Sequence, residues 1–481
     1  MSRYIFLFCA VFAGLSFKTD AQSKNNGKKW TLEDCIQYAS NNNLQIQSSA
    51  QDVELNKNRL YQAKGRLLPD LTGSGSQQYV YGKSIDPFTN QFTTQPVKSN
   101  NFQLASTLTI FNGFQSINSI RQAQIDVKAS NYNLEQMKYT TTLNVIDLYT
   151  QILYNMEILQ KSKYLLQTTN EQLARTEKLV KAGALPESSA LNIASQKATD
   201  ELNIVKAENN LSLSKLNLVQ LLQIPLKDTF EIETPVIDSL LETHPIPFTS
   251  EDIYHVAENS QPGIKNADLN IARADLGVTI ARGIRSPSIT LQGGVLSQYS
   301  SIGSSTSYVV TNNLVPIGFL NTDPTQVVSS YEIKSESHHL NFSEQVDQNK
   351  RGFLIFNLNI PIFNHLQTSA AINNAKIVRN KAVIDAKINR TKLRQSIELA
   401  YVDAKNAQKN YASTQKQVES LRELLRVTQE RVNNGVETAV DYIVAKNNLN
   451  KAESDFITAK YQYFFNMKIL DFYMNKPLMM Q

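Results

Sequence analysis

The chain is poor in the residues that turn a backbone or lock it. Its 481 residues include only 17 Gly and 14 Pro, so turns are few and long uninterrupted helices are expected. There are 2 Cys, too few for a disulfide framework. No apolar run is long enough for a membrane-spanning helix, which excludes an inner-membrane helical bundle. Charge of one sign is also scarce: Lys and Arg number 48 against 43 Asp and Glu, a net +5. That is no basic footprint, and no nucleic-acid partner is expected. Hydrophobic residues still make up 41% of the chain, enough to exclude disorder.

The first segment reads as an address. Arg3 precedes the apolar stretch Ile5 to Phe17, and small and polar residues follow up to Ala21. A cleaved signal peptide over residues 1–21 is expected, with an uncleaved anchor as the alternative. Phe8 before Cys9 is not the small residue a lipoprotein signal needs, so no lipid anchor is expected. After cleavage Cys35 is the remaining cysteine.

Two halves then repeat. Ile110-Phe111-Asn112 recurs as Ile362-Phe363-Asn364, and the same offset aligns Tyr149 with Tyr401 and Gly183 with Gly435. Leu68-Pro69 answers to Ser286-Pro287 at a shorter offset, so the second half carries an insertion of about 34 residues between Pro287 and Phe363. The spacing divides the chain into a first repeat at 22–225, a Pro-rich acidic linker at 226–248, a second repeat at 249–475 and a tail at 476–481. Each repeat reads as helix, strand, loop, strand, very long helix, tight turn, long helix. The first helix starts at Thr31. Its counterpart starts at Ser250, the expected cap.

The strand pairs fall at about 71–111 and 288–363. Phe102, Leu104, Leu108 and Ile110 alternate with Gln103, Thr107 and Thr109; Leu354, Phe356 and Leu358 alternate with Asn357 and Asn359. Lengths near ten residues fit tilted transmembrane strands with one lipid-facing row (Phe102, Leu104, Leu108, Leu354, Phe356, Leu358) and one lumen row (Gln103, Thr107, Thr109, Asn357, Asn359). A half-buried strand in a soluble sandwich has the same alternation. Long polar loops at one end of the strands, about 84–99 and 300–350, favour the membrane. Four strands cannot close a barrel and an open edge cannot sit in lipid, so several chains must share one; three would give twelve strands.

From Gln115 to Lys181 and from Leu366 to Asn434 there is neither Pro nor Gly. About 67 residues at 1.5 Å each make rods of about 100 Å. Apolar residues recur in steps of three and four, as in a bundle or coiled coil. Gly183 and Gly435 end the rods, since glycine takes the left-handed conformation that stops a helix. The sequence holds no phosphate-cradling glycine loop, no nucleophile elbow and no paired-His zinc helix. No enzymatic role, cofactor or metal site is expected. The adjacent His338 and His339 lie in the long second-half loop, where a solvated face is the simpler reading. Trp30 reads as a packing residue.

The order and duplication of these features, with Thr31-Leu32-Glu33, Leu68-Pro69, Ile110-Phe111-Asn112 and Arg431-Val432-Asn433-Asn434-Gly435 followed by Asp441, resemble the TolC-like outer-membrane efflux proteins. The resemblance covers about residues 30 to 475. It implies a mainly α fold with a membrane β-barrel portion: a homotrimer with a twelve-stranded barrel in outer-membrane lipid and a long α-helical coiled-coil barrel in the periplasm. It implies that the helix-turn tips (Gly183, Ala184 and Leu185; Gly435 and Val436) dock a periplasmic adaptor, or membrane fusion, protein. That adaptor would join an inner-membrane pump of RND, ABC or MFS type. It implies an export duct for small molecules or proteins, whose periplasmic aperture is lined by acids just past the second tip. Asp441 matches the first of these; Val444 stands where a second is often found, with Glu437 as the substitute. The other classes weighed against this are a periplasm-spanning stalk or adhesin, which needs rods but no barrel strands, and an enzyme.

Overall fold

A computed structural model describes residues 29–85, 90, 92–225, 230–235 and 246–476. The expected signal peptide, the tail from residue 477 and most of the linker lie outside the described residues. So do residues 86–89 and 91 of the first loop.

The first helix, α1 (Leu32–Asn42), begins where side chains satisfy its free N–H groups. The Asp34 N–H donates to Thr31 Oγ1 at 3.0 Å, and the Thr31 N–H donates to Asp34 Oδ2 at 3.3 Å. Helix α2 (Leu44–Gly65) leads to strand β1 (Thr72–Val80), the short strands β2 (Ser84–Ile85) and β3 (Phe92–Thr93), and β4 (Val97–Asn112). Two helices follow, α3 (Gln115–Lys181) and α4 (Glu187–Leu222). The second half runs α5 (Ser250–Ser260), α6 (Pro262–Gly283), β5 (Ser288–Ser300), β6 (Ser304–Leu320), β7 (Asp323–His339), α7 (Phe342–Gln348), β8 (Arg351–Asn359), α8 (Gln367–Asn433) and α9 (Ala439–Tyr473).

Three expectations are corrected. The cap of α5 is Thr249, whose N–H donates to Asp252 Oδ2 at 2.9 Å, so Ser250 is already helical. The second-half loop is not an unstructured polar connection: β6 and β7 form an antiparallel ribbon, and α7 follows. Thr, Val and Tyr alternating with Ser carry that strand pattern, and the ribbon accounts for the inserted length. His338 and His339 therefore lie on a strand. Finally, the alternation on β4 is broken by a bulge between Thr109 and Phe111, which moves Ile110 out of register and brings Phe111 into the apolar row.

Two compact units are formed, and each sequence half contributes to both. One contains Ser48–Met137 and Glu258–Gln395. Its sheet has the order β1-β4-β5-β8, antiparallel throughout. The other contains Lys138–Ala257 and Ser396–Gln481 with the N-terminal segment. Its core gathers Leu32, Cys35, Ile146, Tyr149, Leu218, Tyr463 and Phe464. The described part of the linker belongs to this core: Ile232 is buried and bridges to Trp30. Trp30 packs edge-on against Tyr38 with ring centroids 5.4 Å apart. Burial pushes the Cys35 thiol up to about 12, aided by nearby Asp34, so it stays an inert thiol.

Candidate functional site: a two-faced sheet and two helix-turn tips

Residues opposed across a ladder share a face, and faces alternate along each strand. On one face the register lines up Leu108, Leu291 and Phe356, then Phe111, Ile289 and Leu358. Phe102, Leu104 and Leu354 lie on the same face. On the opposite face it lines up Thr109, Thr290 and Asn357, then Asn112, Ser288 and Asn359; Gln103 and Thr107 join them. The six residues read as lipid-facing thus share one face, and the five read as lumen-facing share the other. The polar face is not uniform, since Phe353 and Ile355 lie on it. Glycine makes room there: a Cβ on Gly294 would stand 2.5 Å from the Leu104 carbonyl oxygen and 2.9 Å from the Phe353 ring.

Aromatic residues mark both ends of the apolar face. At one end Phe102 and Tyr299 pack on Phe342 of α7, with centroids 6.0 and 5.2 Å apart, and Lys98 lies over the Tyr79 ring. At the other, Phe111 meets Phe114 edge-on at 5.3 Å. Among the described residues, the edge strands β1 and β8 each pair on one side only. Among the described residues no helix is long and apolar enough to cross a membrane.

The two tips are closed by the same hydrogen bonds. The Gly183 N–H donates to the Val180 carbonyl at 2.9 Å, and the Ala184 N–H to Leu179 at 2.9 Å. The Gly435 N–H donates to Val432 at 3.1 Å, and the Val436 N–H to Arg431 at 2.9 Å. This is the Schellman arrangement, and it needs the left-handed glycines, φ +73° and +74°. Ala184 and Val436 are exposed; Leu185 is half-buried. The starts of the following helices differ. Pro186 caps α4 without a side-chain bond, whereas Thr438 and Asp441 form a reciprocal capping box on α9.

Asp441 is exposed and its carboxylate is occupied: Oδ2 accepts from the Thr438 hydroxyl at 2.7 Å and the Thr438 N–H at 2.9 Å. Those bonds, the hydroxyl's first, hold its pKa below the usual carboxylate value. Glu437 pairs with Arg431 at 3.0 Å. The sequence reading named both acids but not these partners; the Thr-x-x-Asp spacing was the available signal.

It also missed the polar interior behind the tips. Buried Lys446 of α9 donates to Thr169 of α3 at 2.8 Å, and Thr169 donates to Asp200 of α4 at 2.5 Å. Gln196 donates to the other Asp200 oxygen at 2.8 Å. Burial lowers the Lys446 pKa, opposed by Asp200. Farther from the tip, burial pushes Lys161 down to about 8 against the pull of Glu453 at 3.7 Å. Lys161 and Glu453 line an open crevice of about 1050 Å³, where Lys460 also pairs with Glu157 at 2.6 Å and Arg422 with Glu453 at 3.3 Å. Among the described residues, no group of three His, Cys, Asp or Glu could hold a metal ion.

The family model described as "Outer membrane efflux protein" matches residues 35–222 and 325–473. The chain is 23% identical over 441 residues to outer membrane efflux protein BepC of Brucella suis biovar 1 (strain 1330), covering 90% of this chain and 84% of that one. It superimposes on the crystal structure of CusC, described in terms of transmembrane channel formation, with a TM-score of 0.75 at 15% identity, over 95% of this chain and 96% of that one. It superimposes on the Campylobacter jejuni CmeC outer membrane channel with a TM-score of 0.72 at 18% identity, over 92% and 85%. A sheet with one apolar and one polar face, joined to 67-residue helices that turn at matched tips, accords with these matches. The chain belongs to the outer membrane efflux protein family.

Proposed function

We propose that the chain works as a homotrimeric export duct in the outer membrane. The helices would reach through the periplasm to an adaptor protein and, through it, an inner-membrane pump. The observation that carries this is the sheet. Both of its edges have unpaired backbone groups, which hydrocarbon does not tolerate. The strand count is even and all pairs are antiparallel, so β8 of one copy meets β1 of the next antiparallel, and three copies give twelve strands without a break in alternation. The apolar face with its aromatic ends then meets lipid. Gln103, Thr107, Thr109, Asn357 and Asn359 line the lumen.

The exposed tips support adaptor docking, because Ala184 and Val436 are presented on turns fixed by their own hydrogen bonds. Asp441 supports an acidic aperture. A carboxylate held ionised, repeated three times around a constriction, favours cations over anions. Glu437 contributes less, since Arg431 offsets its charge. A photo-crosslinking residue at Ala184 or Val436 in living cells should capture an adaptor. Capture of sister copies alone, in cells that make the adaptor, would leave a structural stalk. In planar bilayers Asp441→Asn should lower the cation-to-anion permeability ratio more than Glu437→Gln; equal ratios for both would remove Asp441 from the aperture.

A further inference from the structure

One face of the β6–β7 ribbon is left uncovered by the described residues. Its register places Tyr308 and Val310 beside Ile333, Leu314 opposite Tyr331, and Phe319 farther out, all on one face. Each of these six is more than half exposed. The other face is the more polar: it carries Ser307, Ser330, Glu332, Lys334 and Glu336 besides Val309, Val315 and Val328, with Thr311 donating to the Glu332 carboxylate at 3.1 Å. A lone two-stranded ribbon is marginal in water, and one with large apolar side chains exposed along one face needs a cover.

Three features decide what that cover is. The ribbon starts at Ser304, beyond Ser300, where β5 has reached the end of its pairing with β4. The sheet's own apolar face already provides the roughly 25 Å that lipid needs, so lipid is not the occupant. Next is size. Seventeen residues per strand and two strands make a face of roughly 55 by 10 Å, on the order of 500 Å². An independent partner needs about 800 Å² per side. A face of this size suits molecules already held together by another contact. Last is position: the ribbon leaves β5 and returns through α7 into β8, the edge strand that needs a second copy.

We propose that the apolar faces of the three ribbons pack against one another across the assembly, so that this insertion joins sister copies beyond the barrel. The proposal rests on the trimer reading above. Its test uses the full chain purified in detergent, with native mass measured beside thiol crosslinking. Buried Cys35 leaves little background. Val310→Cys and Leu314→Cys report the apolar face; Ser330→Cys and Lys334→Cys report the polar one. With a short bismaleimide, trimers should crosslink on the order of tenfold more at the apolar positions, because held neighbours act at high effective concentration. A trimer that crosslinks equally at all four positions, or at none, overturns the ribbon contact and leaves the trimer reading standing. A monomer without crosslinks overturns both. Crosslinks at Val310→Cys in cells to a different protein, with none between copies, overturn it in favour of a foreign partner.

Discussion

The two helical hairpins, α3/α4 and α8/α9, have matching lengths and identically bonded turns, yet their seams have opposite chemistry. In the first, buried Asn155, Ser162, Thr169 and Thr176 of α3 recur every seven residues, as do Ile193, Asp200, Ala207 and Ser214 of α4. In the second, Ile397, Ala404, Tyr411 and Val418 of α8 keep the same period, and Tyr442, Leu449, Tyr463 and Leu470 of α9 fall on it, with half-buried Phe456 between Leu449 and Tyr463. Tyr411 stacks on Phe456, centroids 5.3 Å apart. A seven-residue period gives the left-handed winding of a coiled coil whatever fills it. The filling decides cohesion. The apolar seam packs on itself, although α9 also buries Lys446 and Lys460. The polar one buries an acid, Asp200, and draws on Lys446 of the other hairpin through Thr169. The two hairpins therefore lean on each other, since buried Lys446 and Lys460 of α9 in turn draw on Asp200 and Glu157 of the first.

The largest effect should come from breaking that dependence. Asp200→Ala leaves the Lys446 ammonium buried with its acid gone, at a cost of about 3–5 kcal/mol. Faster amide exchange in α4 and a lower unfolding midpoint of the detergent-solubilised protein would report it. Pairing Asp200→Leu with Lys446→Met should restore most of the stability, since apolar groups can replace a buried ion pair. If Asp200→Ala leaves exchange in α4 unchanged, the hairpins are independent.

Next in size is Tyr411→Ala. It empties an aromatic site in the apolar seam and should cost about 3 kcal/mol. Ser214→Ala, at a buried seam position in the first hairpin, should cost less than about 1 kcal/mol, because the hydroxyl bonds back to the Leu211 carbonyl of its own helix. Denaturant midpoints of the two variants test the contrast directly. Equal losses would mean that the seams bear alike.

Much of this architecture was legible in the sequence because its signals are local. Absence of Gly and Pro fixed the rods to within a residue or two, and Gly183 and Gly435 marked their ends. Alternation found β4, β5 and β8, and less clearly the Gly/Ser-rich β1. What escaped depends on partners distant in sequence. The bulge at Ile110 shows only when Thr109 and Phe111 are set against Thr290 and Ile289. The ribbon was hidden by its serines, which read as loop until paired. Lys446, Thr169 and Asp200 lie on three helices, and only the fold brings them together. For Asp441 the signal is local, a Thr three residues earlier, as in any capping box.

Smaller effects are expected at the tips, where the comparison predicts sameness. Gly183→Ala and Gly435→Ala each force a side chain into a left-handed backbone, with nothing within 4 Å to relieve or oppose it. Each should cost about 1–2 kcal/mol, and nearly equally. Unequal losses by local amide exchange would show that one tip bears a load the other does not.

The last difference is a charge, and it should appear only in acid. The Asp441 pKa is depressed by the Thr438 hydroxyl and N–H, so its capping contribution is complete above the pKa it would have unfolded. As pH falls through the lower folded value the carboxylate takes up a proton, the reciprocal bonds weaken, and the first turn of α9 frays. The start of α4, capped by Pro186, has Glu187 in its first turn but no side-chain capping bond to lose on protonation, and should not respond in this way. Amide exchange at Val440 to Tyr442, corrected for its intrinsic pH dependence, should therefore rise on acidification while that at Ser188 to Ala190 stays level. Asp441→Asn should abolish the difference, leaving exchange at Val440 to Tyr442 fast at every pH. A pH response that survives Asp441→Asn would assign the acid sensitivity to another group, with Glu437, paired to Arg431 on the same turn, the next to replace.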